Sequence, residues 1–89
     1  MVHLLLAAVV TIANFAFAPA TLTVRAGTTV RFVNNDSEAH TVTAKNGFNS
    51  GGLDTGDSWS HRFDRPGTYR YFCALHPYMK GTIVVRAAK

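Results

Sequence analysis

A cysteine, a histidine and a methionine fall at intervals of three, as Cys73, His76 and Met79, within the stretch Tyr71 to Gly81. A thiolate, an imidazole and a thioether on one short segment form a soft ligand set that suits copper. Pro77 follows His76 directly. With its φ fixed and no N–H to donate, it stiffens the segment that carries the three donors. Gly81 is expected to allow a sharp exit into Thr82 to Arg86, a strand by its β-branched content. Upstream, Thr68 to Cys73 alternates, with Tyr69, Tyr71 and Cys73 on one face. Cys73 therefore closes one strand, the donors occupy a turn, and a second strand leaves.

A lone cysteine is ordinarily a small buried hydrophobe, and a Cys-x-x-His pair often arises by chance. Met79 and the strand-turn-strand context weigh against that bland reading here. Two histidines and one cysteine in a trigonal plane, with a weak axial methionine, make a blue-copper electron-transfer site. The stretch holds three of those four donors, and His3, His40 and His61 remain as sources of the fourth. His40 stands where the polar turn Asn34 to Glu38 becomes a strand, His40 to Thr43. It ends an element as Cys73 does, and two such ends at one pole of a sandwich converge. His61 lies mid-strand with the parity of Trp59 and Phe63, and reads as a buried or half-buried histidine bonded to a neighbour. His3, close to a free amine, would take copper(II) only adventitiously in square-planar nitrogen geometry.

The chain around this stretch reads as all-β. Its 89 residues suit one domain spanning 1–89. Apolar residues make up 47% and charged residues 16%, the balance of a folded chain. Valine and threonine are frequent and turn residues recur at short intervals, which favours a Greek-key β-sandwich of seven or eight strands. One cysteine excludes an internal disulfide. Val9 to Phe17 reads as a strand, with a β-bulge near Ala13-Asn14 where the apolar parity switches. Residues 1–8 read as a leader remnant or an appended end: Ala16-Phe17-Ala18 resembles a cleavage site, but no Lys or Arg precedes the apolar run. Further strands are expected at Leu22–Val24, Thr28–Asn34 and Ser58–Phe63, with a long loop over Lys45 to Asp57, expected to be the least stable part. Val30, Phe32, Val42, Phe63, Tyr69, Ile83 and Val85 are the expected core. No apolar run is long enough for a membrane-spanning helix. The net charge is +4 with no run of Lys or Arg, which points to an acidic protein partner rather than nucleic acid.

Together these segments resemble the small cupredoxins. Val10-Thr-Ile-x-x-Phe-x-Phe-x-Pro19, Leu22-x-Val-x-x-Gly27, Val30-x-Phe-x-Asn34 and His40-Thr-Val are similar to the first half of that family. Gly67-Thr-Tyr-x-Tyr-Phe-Cys-x-x-His-Pro-Tyr-Met-x-Gly81 is similar to the second half. The short Cys-x-x-His-Pro-x-Met form resembles the amicyanins rather than plastocyanin or pseudoazurin. The resemblance implies that His40, Cys73, His76 and Met79 hold one copper ion. It also implies that the Thr41 backbone N–H bonds the Cys73 sulfur, Thr41 standing where amicyanin has asparagine. The basic charge departs from amicyanin.

The expected function is transfer of single electrons between a redox protein donor and acceptor by a monomer in the periplasm or another exported location. His40 is expected deeper, and His76 near the surface inside an apolar rim of Ala74, Leu75, Pro77 and Tyr78. Three rivals differ in kind. An oxidase or nitrite reductase domain would need a second copper centre and, by resemblance, a histidine beside the cysteine, where this chain has Phe72 and Ala74. A copper carrier would hold copper(I) without the intense colour of a thiolate-bound copper(II). A metal-free sandwich module would stay colourless when copper is added.

Overall fold

A computed structural model describes residues 8–88. The chain forms seven strands and, among the described residues, no helix: β1 Ala8–Ala13, β2 Ala16–Ala18, β3 Thr21–Arg25, β4 Thr28–Asn34, β5 Ser58–Phe63, β6 Gly67–Cys73 and β7 His76–Arg86. They make two sheets, ordered β2-β1-β4-β5 and β3-β7-β6. The pairs β1–β4 and β3–β7 are parallel and the rest antiparallel. This is the cupredoxin β-sandwich that the segment pattern implied. The leader reading of residues 1–8 fails at Ala8, which already belongs to β1; its other residues and the His3 site lie outside the described residues.

The core follows the two-residue period of the strands. Val30, Phe32 and Asn34 of β4 turn inward, as do Tyr71 and Cys73 of β6 and Met79, Ile83 and Val85 of β7. Val42 and Phe63 are buried with them. Tyr69, expected in the core, is half-buried instead, and its hydroxyl donates to the Arg65 carbonyl. Tyr71 takes the deeper place, with Phe17 and Phe32 packed edge-on against it.

Several local expectations change. The parity switch after Ala13 is a hairpin turn, not a bulge. Asn14 and Phe15 both have positive φ, 52° and 57°, and β2 folds back on β1 with Ala13 opposite Ala16. Positive φ at both central residues is the type I′ turn that matches strand twist. Asn accepts that conformation readily, but a phenylalanine rarely does. His40 to Thr43 is not a strand; it is held by isolated bridges from His40 to Leu53 and from Thr43 to Asn49 and Phe72. The 45–57 stretch is irregular, but Leu53 anchors it in the core. Gly81 is not an exit from a turn, because β7 already starts at His76. It sits under the Tyr71 ring, where any Cβ would overlap the phenol.

Candidate metal centre

Three segments meet at one pole of the sandwich. The first is the β6–β7 hairpin. Through most of its length Phe72 faces Lys80, so Cys73 and Met79 are next in line on the inward face. The register then shifts, and Cys73 pairs with His76 across a two-residue turn, Ala74-Leu75. Residues directly opposite in an antiparallel pair project to the same side, so the shift brings the His76 ring to the cysteine. Cys73 and Met79 are buried, and His76 is half-buried.

The second segment is the turn after β4. Asn34 is fully buried, and its side chain fastens that turn. Its Nδ2 donates to the carbonyls of Glu38 (2.9 Å) and Leu53 (2.8 Å), and its Oδ1 accepts the Asp36 N–H (2.9 Å). A buried amide so satisfied fixes its surroundings. His40 follows, fully buried. Its Nε2 lies 2.9 Å from Asp36 Oδ2. That contact assigns the ring proton to Nε2 and leaves the Nδ1 lone pair directed at the site.

The third segment is the β1–β2 turn. The Phe15 N–H donates to the same Asp36 Oδ2 (2.9 Å). The Phe15 ring stands edge-on to the rings of His40 and His76, with centroids 5.3 and 5.0 Å away. Sequence reasoning missed both Asp36 and Phe15. Asp36 at i−4 from His40 was a weak signal; Phe15 carried none, since its role depends on a turn read as a bulge.

The donor atoms converge. His40 Nδ1 is 3.6 Å and His76 Nδ1 3.7 Å from Cys73 Sγ. One atom from each of the three residues lies within 4.8 Å of the others. Metal–nitrogen and metal–sulfur bonds of about 2.0–2.3 Å, meeting at about 120°, would set nitrogen and sulfur roughly 3.8 Å apart. The cradle therefore fits a trigonal N₂S ion. His61 is not part of it. It stacks on Trp59 and packs against Phe48 and Phe63, and among the described residues it hydrogen-bonds no neighbour.

The sulfur is held as an anion acceptor. The Thr41 N–H donates to Sγ (3.3 Å), and Thr41 Oγ1 accepts the Ala74 N–H (2.7 Å), tying the turn to the hairpin. Burial pushes the Cys73 thiol up, but the Thr41 N–H and the rings of His40 and His76 outweigh it and hold it at about 6. Burial disfavours the charged form of His40. The Asp36 carboxylate and the Cys73 sulfur overcome that and hold it above the usual imidazole range. Hydrogen bonds from the Phe15 N–H and His40 keep Asp36 below the usual carboxylate range.

This fold, with a buried cysteine sulfur between two imidazoles, defines a blue copper protein that carries single electrons and takes one copper ion. A family model described as a cupredoxin-like domain matches residues 6–85, and the chain belongs to the cupredoxin family. It is 34% identical to amicyanin-alpha of Methylorubrum extorquens over 82 residues, 85% of this chain and 69% of the relative. It is 38% identical to plastocyanin of Scenedesmus fuscus over 84 residues, 79% of this chain and 86% of that one. Among solved structures, a purple cupredoxin from Nitrosopumilus maritimus superimposes with a TM-score of 0.86 at 32% identity, covering 89% of this chain and 99% of the other. A copper-containing nitrite reductase from Thermus scotoductus also superimposes, with a TM-score of 0.85 at 33% identity, but this chain covers only 22% of it.

Proposed function

We propose that His40, Cys73, His76 and Met79 hold the copper ion, and that electrons enter and leave at the His76 end of the molecule. The observation that carries the assignment is the pair of Nδ1 atoms, 3.6 and 3.7 Å from one buried sulfur. Met79, buried on the inward face of β7 three residues after His76, supplies the weak fourth donor. The bound ion supplies the one-electron couple. The protein supplies a rigid frame: Asp36 fixes the His40 tautomer, Thr41 steadies the sulfur, and Phe15 packs against both rings.

The docking surface is the apolar rim of Ala74, Leu75, Pro77 and Tyr78, with Phe15 added. Among the described residues Phe15, Leu75 and Tyr78 are the large hydrophobics left exposed. Small patches of this kind suit transient contacts. The protein acts as a monomer. It passes electrons between proteins and is not an enzyme: Phe72 and Ala74 flank Cys73, where a second centre would draw on a neighbouring histidine. By resemblance to its relatives it works in the periplasm or another exported location. Among the described residues no helix is long and apolar enough to cross a membrane.

The experiment is addition of copper(II) to the purified protein with a visible spectrum, followed by voltammetry. An intense thiolate-to-copper band and a reversible one-electron wave are expected. Tight binding of copper(I) with neither would mark a copper carrier instead.

A further inference from the structure

The turn after Thr43 holds a reactive pair that electron transfer does not use. Ala44, Lys45, Asn46 and Gly47 form a β-turn, closed by the Gly47 N–H on the Ala44 carbonyl (3.0 Å). Asn46 takes its third position with a φ of 56°, a left-handed value that asparagine tolerates better than most residues. Asn46 and Gly47 are both exposed. Asparagine is a thermolabile residue, and most so before glycine, which has no Cβ to shield its own nitrogen.

The chemistry needs only water. The Gly47 nitrogen attacks the side-chain carbonyl carbon of Asn46. An N–Cγ bond forms, the Cγ–Nδ2 bond breaks, and ammonia leaves with the Gly47 amide proton, giving a succinimide. Water then opens the ring at either carbonyl. One opening gives aspartate. The other gives isoaspartate, whose main chain runs through the former side chain and is one carbon longer. The bond from Gly47 to Ala44 must open first, and on an exposed turn that costs little free energy.

The other asparagines are guarded. Asn34 is buried with its amide bonded. Asn14 and Asn35 precede Phe15 and Asp36, whose N–H groups are held by Asp36 and Asn34 side chains. Asn49 Oδ1 accepts the Gly51 N–H (2.9 Å) and the Thr43 hydroxyl (3.3 Å). Among the described residues the Asn46 side chain makes no such bond.

Phe48 comes next in the chain. Its carbonyl accepts the Ala44 N–H (2.8 Å), and its half-buried ring packs on Trp59, His61 and Phe63, with centroids 5.9, 4.8 and 5.5 Å away. Upstream, Thr43 is fixed by two backbone bonds to Phe72 (2.9 and 2.8 Å). A turn made one carbon longer therefore displaces its Phe48 side.

We propose that Asn46-Gly47 is a site of spontaneous deamidation, and that its isoaspartate form draws Phe48 away from Trp59. The new carboxylate enters a groove lined by Lys45, His61 and Arg70, whose lining holds no acid. This inference stands apart from the electron-carrier reading.

The test incubates the purified, copper(I)-loaded protein at body temperature and mildly alkaline pH. Peptide mass spectrometry should find acid in place of amide at Asn46 and at no other asparagine. Isoaspartyl methyltransferase should label the same peptide. Emission of Trp59, the one tryptophan, should shift to the red as isoaspartate accumulates. Asn46→Gln, which would have to close a larger ring, should slow conversion by roughly tenfold or more, about 1.4 kcal/mol of barrier. Gly47→Ala should slow it too, and serves should the first variant fail to fold. Asn46→Asp carries the charge without the extra carbon and should keep the emission of the fresh protein. Faster conversion at another asparagine would overturn the site. So would an intact Asn46 after a free Lys-Asn-Gly-Phe peptide has converted. Unchanged emission in the isoaspartyl protein, or the same shift in Asn46→Asp, would overturn the displacement of Phe48.

Discussion

The carboxylate of Asp36 lies 2.9 Å from Nε2 of His40, and both groups are almost wholly sealed from solvent. The contact sets which nitrogen of the deepest imidazole faces the sulfur. Partners of this kind typically govern metal affinity by 10–100-fold. Asp36→Ala should weaken copper(I) binding by roughly that factor, measured by competition with a chelator. Unchanged affinity would mean the tautomer is set by something else.

Removing the sulfur should remove the colour. Cys73→Ser replaces a soft thiolate with a hard, weakly acidic hydroxyl, and the intense visible band should vanish. His40→Ala should also abolish it. His61→Ala should leave the band in place, because His61 lies in the Trp59–Phe48 stack away from the cradle. A bleached H61A beside a blue H40A would reverse the assignment.

The Phe15 turn separates stability from site tuning. Its left-handed backbone costs about 1–2 kcal/mol in a non-glycine residue. Its two aromatic contacts are worth about 0.5–1.5 kcal/mol each. Phe15→Gly exchanges one for the other, so the melting temperature should change little. The visible band and the reduction potential should shift, since both ligand rings lose the same neighbour. A large fall in stability with an unchanged spectrum would show that Phe15 only supports the fold.

Gly81 is a packing glycine. Gly81→Ala drives a methyl into the Tyr71 ring, and overpacking of this kind costs about 1–3 kcal/mol. For a domain of this size each kcal/mol lowers the melting temperature by about 4–8 °C. Thermal unfolding of the metal-free variant checks it.

The metal-free protein should carry a thiolate near neutral pH. Cys73 is held at about 6, below the ordinary thiol value of about 8.5. A depressed acid adds stability above its unfolded value and loses it as pH falls through its folded value. The Cys73 contribution is therefore full above about pH 8.5 and gone below about 6. His40, raised, works in the opposite sense: its contribution is present below the ordinary imidazole range and fades as pH climbs past its raised value. Thiolate absorbance in the ultraviolet, with C73S as the blank, should titrate near the lower value. A midpoint at or above the ordinary value would contradict the hydrogen bonds drawn to the sulfur.

Much of this protein was legible in one dimension. Donor chemistry is local: Cys73, His76 and Met79 lie within seven residues, and softness needs no fold to be recognised. Strand parity is local too, which is why Val30, Phe32, Ile83 and Val85 were found as core residues. What the tertiary structure alone decided are relations between distant segments. The choice of His40 over His61 by geometry needs two sheets stacked so that one pole holds the residue 40 turn and the residue 73 hairpin. The reach of β7 back to His76 depends on a register shift, which period-two patterns do not encode. Phe15 comes to the ligand rings through a left-handed turn, a conformation its side chain argues against, stabilised by a carboxylate 21 residues away. The role of Gly81 is set by a ring on the neighbouring strand. Local chemistry specifies which atoms can bind an ion; only packing brings them within bonding reach of one another.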